Sequence, residues 1–145
     1  MEIRILIADD DGSVRRMVAR VLETAGYIAI QIADWHEAAV RCKAIQPSLI
    51  LLDLEMLPPA GWSVLRDIRF DSGAAPVIGM TAWPNQYDVA VRWGIDVLME
   101  KPLDLGFLLQ TIQELVSPTA QRPAKQELQE PFPLLRPSML SQGNH

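Results

Sequence analysis

The strongest constraint in this chain is an alternation. Five short apolar runs recur along it: IRILIA (Ile3 to Ala8), YIAIQIA (Tyr27 to Ala33), SLILLD (Ser48 to Asp53), PVIGMT (Pro76 to Thr81) and DVLME (Asp96 to Glu100). Each is followed by a segment with helical spacing. Runs this short, apolar on both faces and separated by helices, read as parallel strands covered on both sides. The fold expected is a doubly wound α/β domain with a five-stranded parallel sheet.

The intervening segments carry helix signals of their own. Val14, Met17, Val18, Val21, Leu22 and Ala25 fall on one face of a helix. Ser13 is expected to cap its start, and Gly26 suits a left-handed residue beyond its end. Asp34, with Glu37 three residues on, has the form of a capping box, and Pro47 closes that helix. A further helix is expected around WSVLRDIRF (Trp62 to Phe70). The next should start with Pro84 in its first turn and run to Trp93, before Gly94. Asp104 caps the last, whose apolar face is Leu105, Leu108, Leu109, Ile112, Leu115 and Val116.

The domain is expected to cover residues 1–117. Residues 118–145 differ in kind: five prolines (Pro118, Pro123, Pro131, Pro133, Pro137) and several glutamines bar a long helix or central strand. They read as a flexible tail, with PFPLLRPSML as an alternative apolar docking segment.

Composition narrows the function. The 145 residues carry a net charge of -5, which argues against a broad electrostatic footprint for nucleic acid or an anionic membrane. No signal-peptide core or membrane span is evident, and the single cysteine, Cys42, permits no internal disulfide. A cytoplasmic protein is expected.

Open α/β sheets do their work beyond the carboxyl ends of the strands. Strand one ends at Asp9 and Asp10, strand three at Asp53, strand four at Thr81 and strand five at Lys101, before Pro102. Carboxylates drawn together repel one another, and a hard divalent cation such as Mg²⁺ resolves this. With the Lys101 ammonium and the Thr81 hydroxyl, the set suits a phosphoryl group, and Asp53 is placed to act as nucleophile and form an acyl phosphate.

The stretches ILIADDDGSVRRM, PSLILLDLEMLPPAGWSVLRDIR, PVIGMTA and EKPLD resemble the receiver domain of bacterial two-component response regulators, in order and at family spacing over about residues 2–117. The resemblance implies a flavodoxin-like strand order 2-1-3-4-5. It implies Asp53 as phosphoacceptor, Asp9 and Asp10 as the acidic pair, and a Mg²⁺ site of Asp9, Asp10, Asp53 and the backbone carbonyl of Glu55, with Asp10 a direct ligand. It implies Thr81 as switch hydroxyl, Lys101 as its partner and a cis bond before Pro102. It also implies a sensor histidine kinase as donor and an output protein, another kinase or a homodimer through the face from the fourth strand to the fifth helix.

The sequence departs from the family at three places. Leu98 stands three before the lysine, where an aromatic is usual. The loop MLPPAG has Leu57 and Ala60 in place of the usual residues. Trp83 follows Thr81 by two, as a surface aromatic or a lid over the phosphoryl group. Asp11 reads as a solvated carboxylate and His36 as exposed. Three functions remain side by side: a stand-alone phosphorylation-controlled switch, a degenerate receiver serving as a scaffold, and an aspartate-nucleophile phosphatase using Glu55 as a second acid.

Overall fold

A computed structural model describes residues 2–58, 63, 65–68 and 75–117. Its strands are β1 (Arg4–Ala8), β2 (Ile28–Ile32), β3 (Leu49–Asp53), β4 (Val77–Thr81) and β5 (Val97–Glu100). They form one parallel sheet in the order β2-β1-β3-β4-β5. The expected sheet and strand order are therefore found. Helices are α1 (Gly12–Thr24), α2 (Trp35–Ile45), α3 (Tyr87–Arg92) and α4 (Leu105–Val116), and residues 65–68 are helical between β3 and β4. The rest of the helix expected over Trp62 to Phe70, Ala60 and the segment 118–145 lie outside the described residues.

Alternation along the strands divides the core in two. Leu6, Ile50, Leu52 and Leu98 face one side with Cys42 of α2, Leu65 and Ile68. Ile5, Ile7, Leu51, Ile78, Val97 and Met99 face the other, against Val18 and Leu22 of α1 and Leu108 and Ile112 of α4. Each such side chain contributes about 1.5–3 kcal/mol of burial. Strands β3 and β4 are buried throughout, whereas β2 is partly exposed, as the edge of the sheet.

Several local expectations are corrected. Asp11, not Ser13, caps α1: its carboxylate accepts the N–H groups of Ser13 and Val14 at 2.9 and 3.3 Å. Ser13, two residues past the cap, already lies inside the first turn. Met17 is 43% exposed and Ala19 is buried in its place, so the apolar stripe of α1 is rotated from its expected position. Helix α3 begins at Tyr87 rather than near Pro84. Asn85 takes a left-handed conformation (φ 61°), which holds the backbone out of the helix until Gln86.

Other signals hold. Asp34 accepts the Glu37 N–H at 2.8 Å, while the Glu37 carboxylate turns to Arg41 at 3.4 Å instead of closing the box. Gly26 and Gly94 have positive φ after their helices, and Asp104 caps α4 through the Phe107 N–H. His36 is exposed and stacks on Trp35, with ring centroids 3.7 Å apart.

Candidate functional site

The parallel register sets the site. Ala8 pairs with Leu52, Asp53 with Met80 and Thr81 with Glu100, so the chain leaves four strands at one level. Asp9 extends β1 by donating its N–H to Ile32 O at 3.1 Å, and Lys101 extends β5 through its N–H to Thr81 O at 2.7 Å. Asp9, Asp10, Asp53, Thr81 and Lys101 thereby meet at the carboxyl edge of the sheet. The Lys101–Pro102 peptide bond is cis.

Asp9 is fully buried and Asp53 nearly so, while Asp10 is exposed. The Lys101 ammonium lies 3.0 Å from Asp9 Oδ2 and 3.5 Å from Asp53 Oδ2. The Asp11 N–H donates to Asp9 Oδ1 at 2.9 Å, and the Arg15 guanidinium donates to the Asp9 backbone oxygen at 2.8 Å. Asp53 ends β3 and opens a single 3-10 turn, Leu54–Met56, whose Glu55 N–H donates to Asp53 Oδ1 at 3.1 Å.

Charge at the centre is unbalanced. Burial, reinforced by the Asp9 carboxylate, pushes the Asp53 pKa from 3.8 up to about 7, against the opposing pull of Lys101 and the Glu55 N–H. Burial works against the Lys101 charge, but Asp9 and Asp53 more than offset it and hold its pKa above the ordinary 10.5.

The residues fit a divalent cation. Carboxylate oxygens of Asp9, Asp10 and Asp53 lie within 4.8 Å of one another. Asp9 Oδ2 is buried without a directed hydrogen bond, leaving the nearby Lys101 charge as its compensation. Three carboxylates against one ammonium, all oxygen donors, are the donor set of a hard cation rather than of zinc.

One feature of the site was not foreseen. Glu55, expected to matter through its backbone carbonyl or as a second acid beside Asp53, instead uses its side chain to accept the Thr81 hydroxyl at 2.7 Å and the Ala82 N–H at 2.7 Å. The available signal was an acid two residues after the strand-ending Asp53. Trp83 returns its N–H to Thr81 Oγ1 at 3.0 Å, and its own side chain is 62% exposed. Leu98, at the position of the usual aromatic, is a packed core residue.

The model of the response regulator receiver domain matches residues 5–113. The chain is 32% identical over 127 residues to the DNA-binding response regulator MtrA of Mycolicibacterium paratuberculosis, covering 86% of this chain and 56% of that protein. It is 33% identical over 124 residues to the DNA-binding dual master transcriptional regulator RpaA of Synechocystis, covering 83% and 52%. The chain thus spans about half the length of these curated relatives. Among solved structures, a CheY-like receiver domain protein from Methanospirillum hungatei superposes with a TM-score of 0.73 at 24% identity, covering 80% of this chain and 94% of the other. The chemotaxis protein CheY4 of Vibrio cholerae gives 0.71 at 25% identity, covering 79% and 99%.

The chain belongs to the receiver-domain family of two-component response regulators. Receiver domains are signalling modules of two-component systems.

Proposed function

We propose that residues 1–117 form a receiver that accepts a phosphoryl group on Asp53 from the phosphohistidine of a sensor kinase in the cytoplasm, with residues 118–145 as an appended segment. The supporting observation is the convergence of Asp9, Asp53 and Lys101 at one strand edge, with Lys101 within 3.5 Å of both acids.

In this reading one Asp53 carboxylate oxygen attacks the phosphorus, the P–O or P–N bond to the donor breaks, and its electron pair leaves with the donor. Lys101 neutralises charge on the new acyl phosphate. Asp9, Asp10, Asp53 and the Glu55 backbone carbonyl would hold Mg²⁺, which supplies charge neutralisation for the phosphoryl oxygens when bound. The Thr81 hydroxyl, held at the neighbouring strand end, is the donor available to the phosphoryl group. Output passes to a protein partner or to a second copy of the domain through the face from β4 to α4. Since Leu98 is buried core, coupling to that face runs through the Thr81 loop rather than through an aromatic rotamer.

Incubation with Mg²⁺ and a small phosphodonor tests the reading. Intact mass should gain one phosphoryl group in wild type and none in Asp53→Asn; equal gains in both would refute it, and no gain in either would favour the scaffold alternative. A second reading follows from the relatives named DNA-binding: the domain controls a DNA-bound regulator. Binding of labelled duplex DNA by this chain would support it over a purely protein-directed output.

A further inference from the structure

We infer that the Glu55 carboxylate is a built-in anion that occupies the phosphoryl donors of the unphosphorylated domain, so that phosphorylation must displace it. The inference rests on the phosphoacceptor reading above and concerns what opposes it.

The hydrogen bonding around Thr81 carries the argument. A hydroxyl has one proton to give. At 2.7 Å, Glu55 Oε2 is a much closer acceptor than the Trp83 backbone oxygen at 3.4 Å, so the Thr81 proton is committed to Glu55. The Trp83 N–H at 3.0 Å fills the hydroxyl's acceptor side, which fixes its direction. The other oxygen of Glu55 takes the Ala82 N–H at 2.7 Å. One carboxylate thus holds both the side-chain donor that ends β4 and the backbone donor that follows it. Both bonds are short and charge-assisted, the stronger kind.

A carboxylate so placed competes with any anion built on Asp53. Glu55 is tied to Asp53 by the turn itself, its N–H bonding Asp53 Oδ1 at 3.1 Å. A phosphoryl group on Asp53 brings up to two negative charges to this turn. It repels Glu55 and offers the same donors a better acceptor. Glu55 is only partly buried and Ala82 is exposed, so the carboxylate has water to move into. The two anions cannot both own Thr81 and Ala82, which makes the arrangement two-state. Glu55 therefore acts as a positioning residue, weakening phosphoryl retention by the stability of its own two bonds.

Beryllium trifluoride, a phosphoryl mimic, can be titrated calorimetrically with Mg²⁺ into wild type, Glu55→Ala and Glu55→Gln. Loss of two charge-assisted bonds, each partly replaced by water, should tighten binding about tenfold in both variants. Glu55→Gln, with one acceptor oxygen and no charge, cannot restore both contacts. Unchanged or weaker binding in the variants would overturn the inference. The Ala82 amide proton is the independent readout. It should resonate downfield in wild type and move upfield in both variants, which lack the carboxylate that accepts it. An unchanged Ala82 resonance in the variants would overturn the contact itself. Wild type that binds no mimic but shows the Ala82 shift would retain the internal anion and reject the phosphoacceptor reading instead.

Discussion

Lys101 reaches Asp9 across two intervening strands: its ammonium, following β5, lies 3.0 Å from a carboxylate that follows β1, with β3 and β4 between them in the sheet. The pair closes the carboxyl edge of the sheet and leaves Asp53 in the middle, 3.5 Å from the same ammonium. Lys101 is therefore the counter-charge for two buried acids.

Replacing it should cost stability. Lys101→Met leaves Asp9 and Asp53 without a cation, and because Lys101 keeps some contact with water the loss should be about 1–3 kcal/mol rather than the larger figure for a sealed pair. Urea unfolding without metal at pH 8 measures it. The same substitution in an Asp53→Asn background should cost less, since one of the two acids is gone; an equal cost in both backgrounds would contradict this.

Asp53 gives stability a pH dependence of known sign. Its folded pKa, about 7, lies above the ordinary 3.8 because burial and Asp9 disfavour its charge. Between these values the folded, metal-free domain holds a proton that the unfolded chain has released. The contribution of Asp53 to stability is therefore lost as pH rises from about 4 to about 7, and is constant above that. Asp53→Asn, which never ionises, should gain on wild type through this window and level off beyond it. A difference that shrinks with rising pH would overturn the assignment.

Cation binding should follow the same titration in the opposite sense. A carboxylate must be deprotonated to ligate a metal, so Mg²⁺ affinity should rise with pH up to about 7 and then flatten. Calorimetric titration across pH 5.5–8.5 reads this directly. Asp10→Asn should weaken binding at every pH without moving the domain's stability much, because Asp10 is exposed.

Packing behind the site is tight at one point. A Cβ built on Gly79 in β4 would meet Ile95 side-chain atoms at 3.1 and 3.2 Å and Leu54 Cδ1 at 3.4 Å. Gly79→Ala should destabilise by about 1–2 kcal/mol through overpacking. Trimming the neighbour with Ile95→Val in the same chain should recover part of that loss, as thermal unfolding would show.

How much of this was legible beforehand depends on the range of the interaction. Strand runs, Gly26, Asp34 and Asp104 are local signals, fixed by periodicity or by one side chain reaching a backbone N–H two or three residues on. The convergence of Asp9, Asp53 and Lys101 was legible because a parallel sheet puts all strand ends on one edge. Asp11, read as a solvated carboxylate, displaced Ser13 as a cap because the helix starts at Gly12, earlier than a Ser13 cap requires, and that boundary shift is too small for periodicity to fix. The rotation that exposes Met17 and buries Ala19 depends on how α1 settles against β1 and α4, which periodicity alone leaves free. The grip of Glu55 on Thr81 and Ala82 joins the turn after β3 to the end of β4. The acid two residues after Asp53 was a local signal, but its partners lie on a different strand, which local spacing does not identify.

The central claim is that Asp53 is the nucleophile, and chemical trapping tests it most directly. After treatment with Mg²⁺ and a small phosphodonor, borohydride reduction converts an aspartyl phosphate to homoserine. Peptide mass mapping should find homoserine at position 53 and nowhere else. Homoserine at Asp9 or Asp10, or an unreduced Asp53 in protein that has gained a phosphoryl group, would contradict the account.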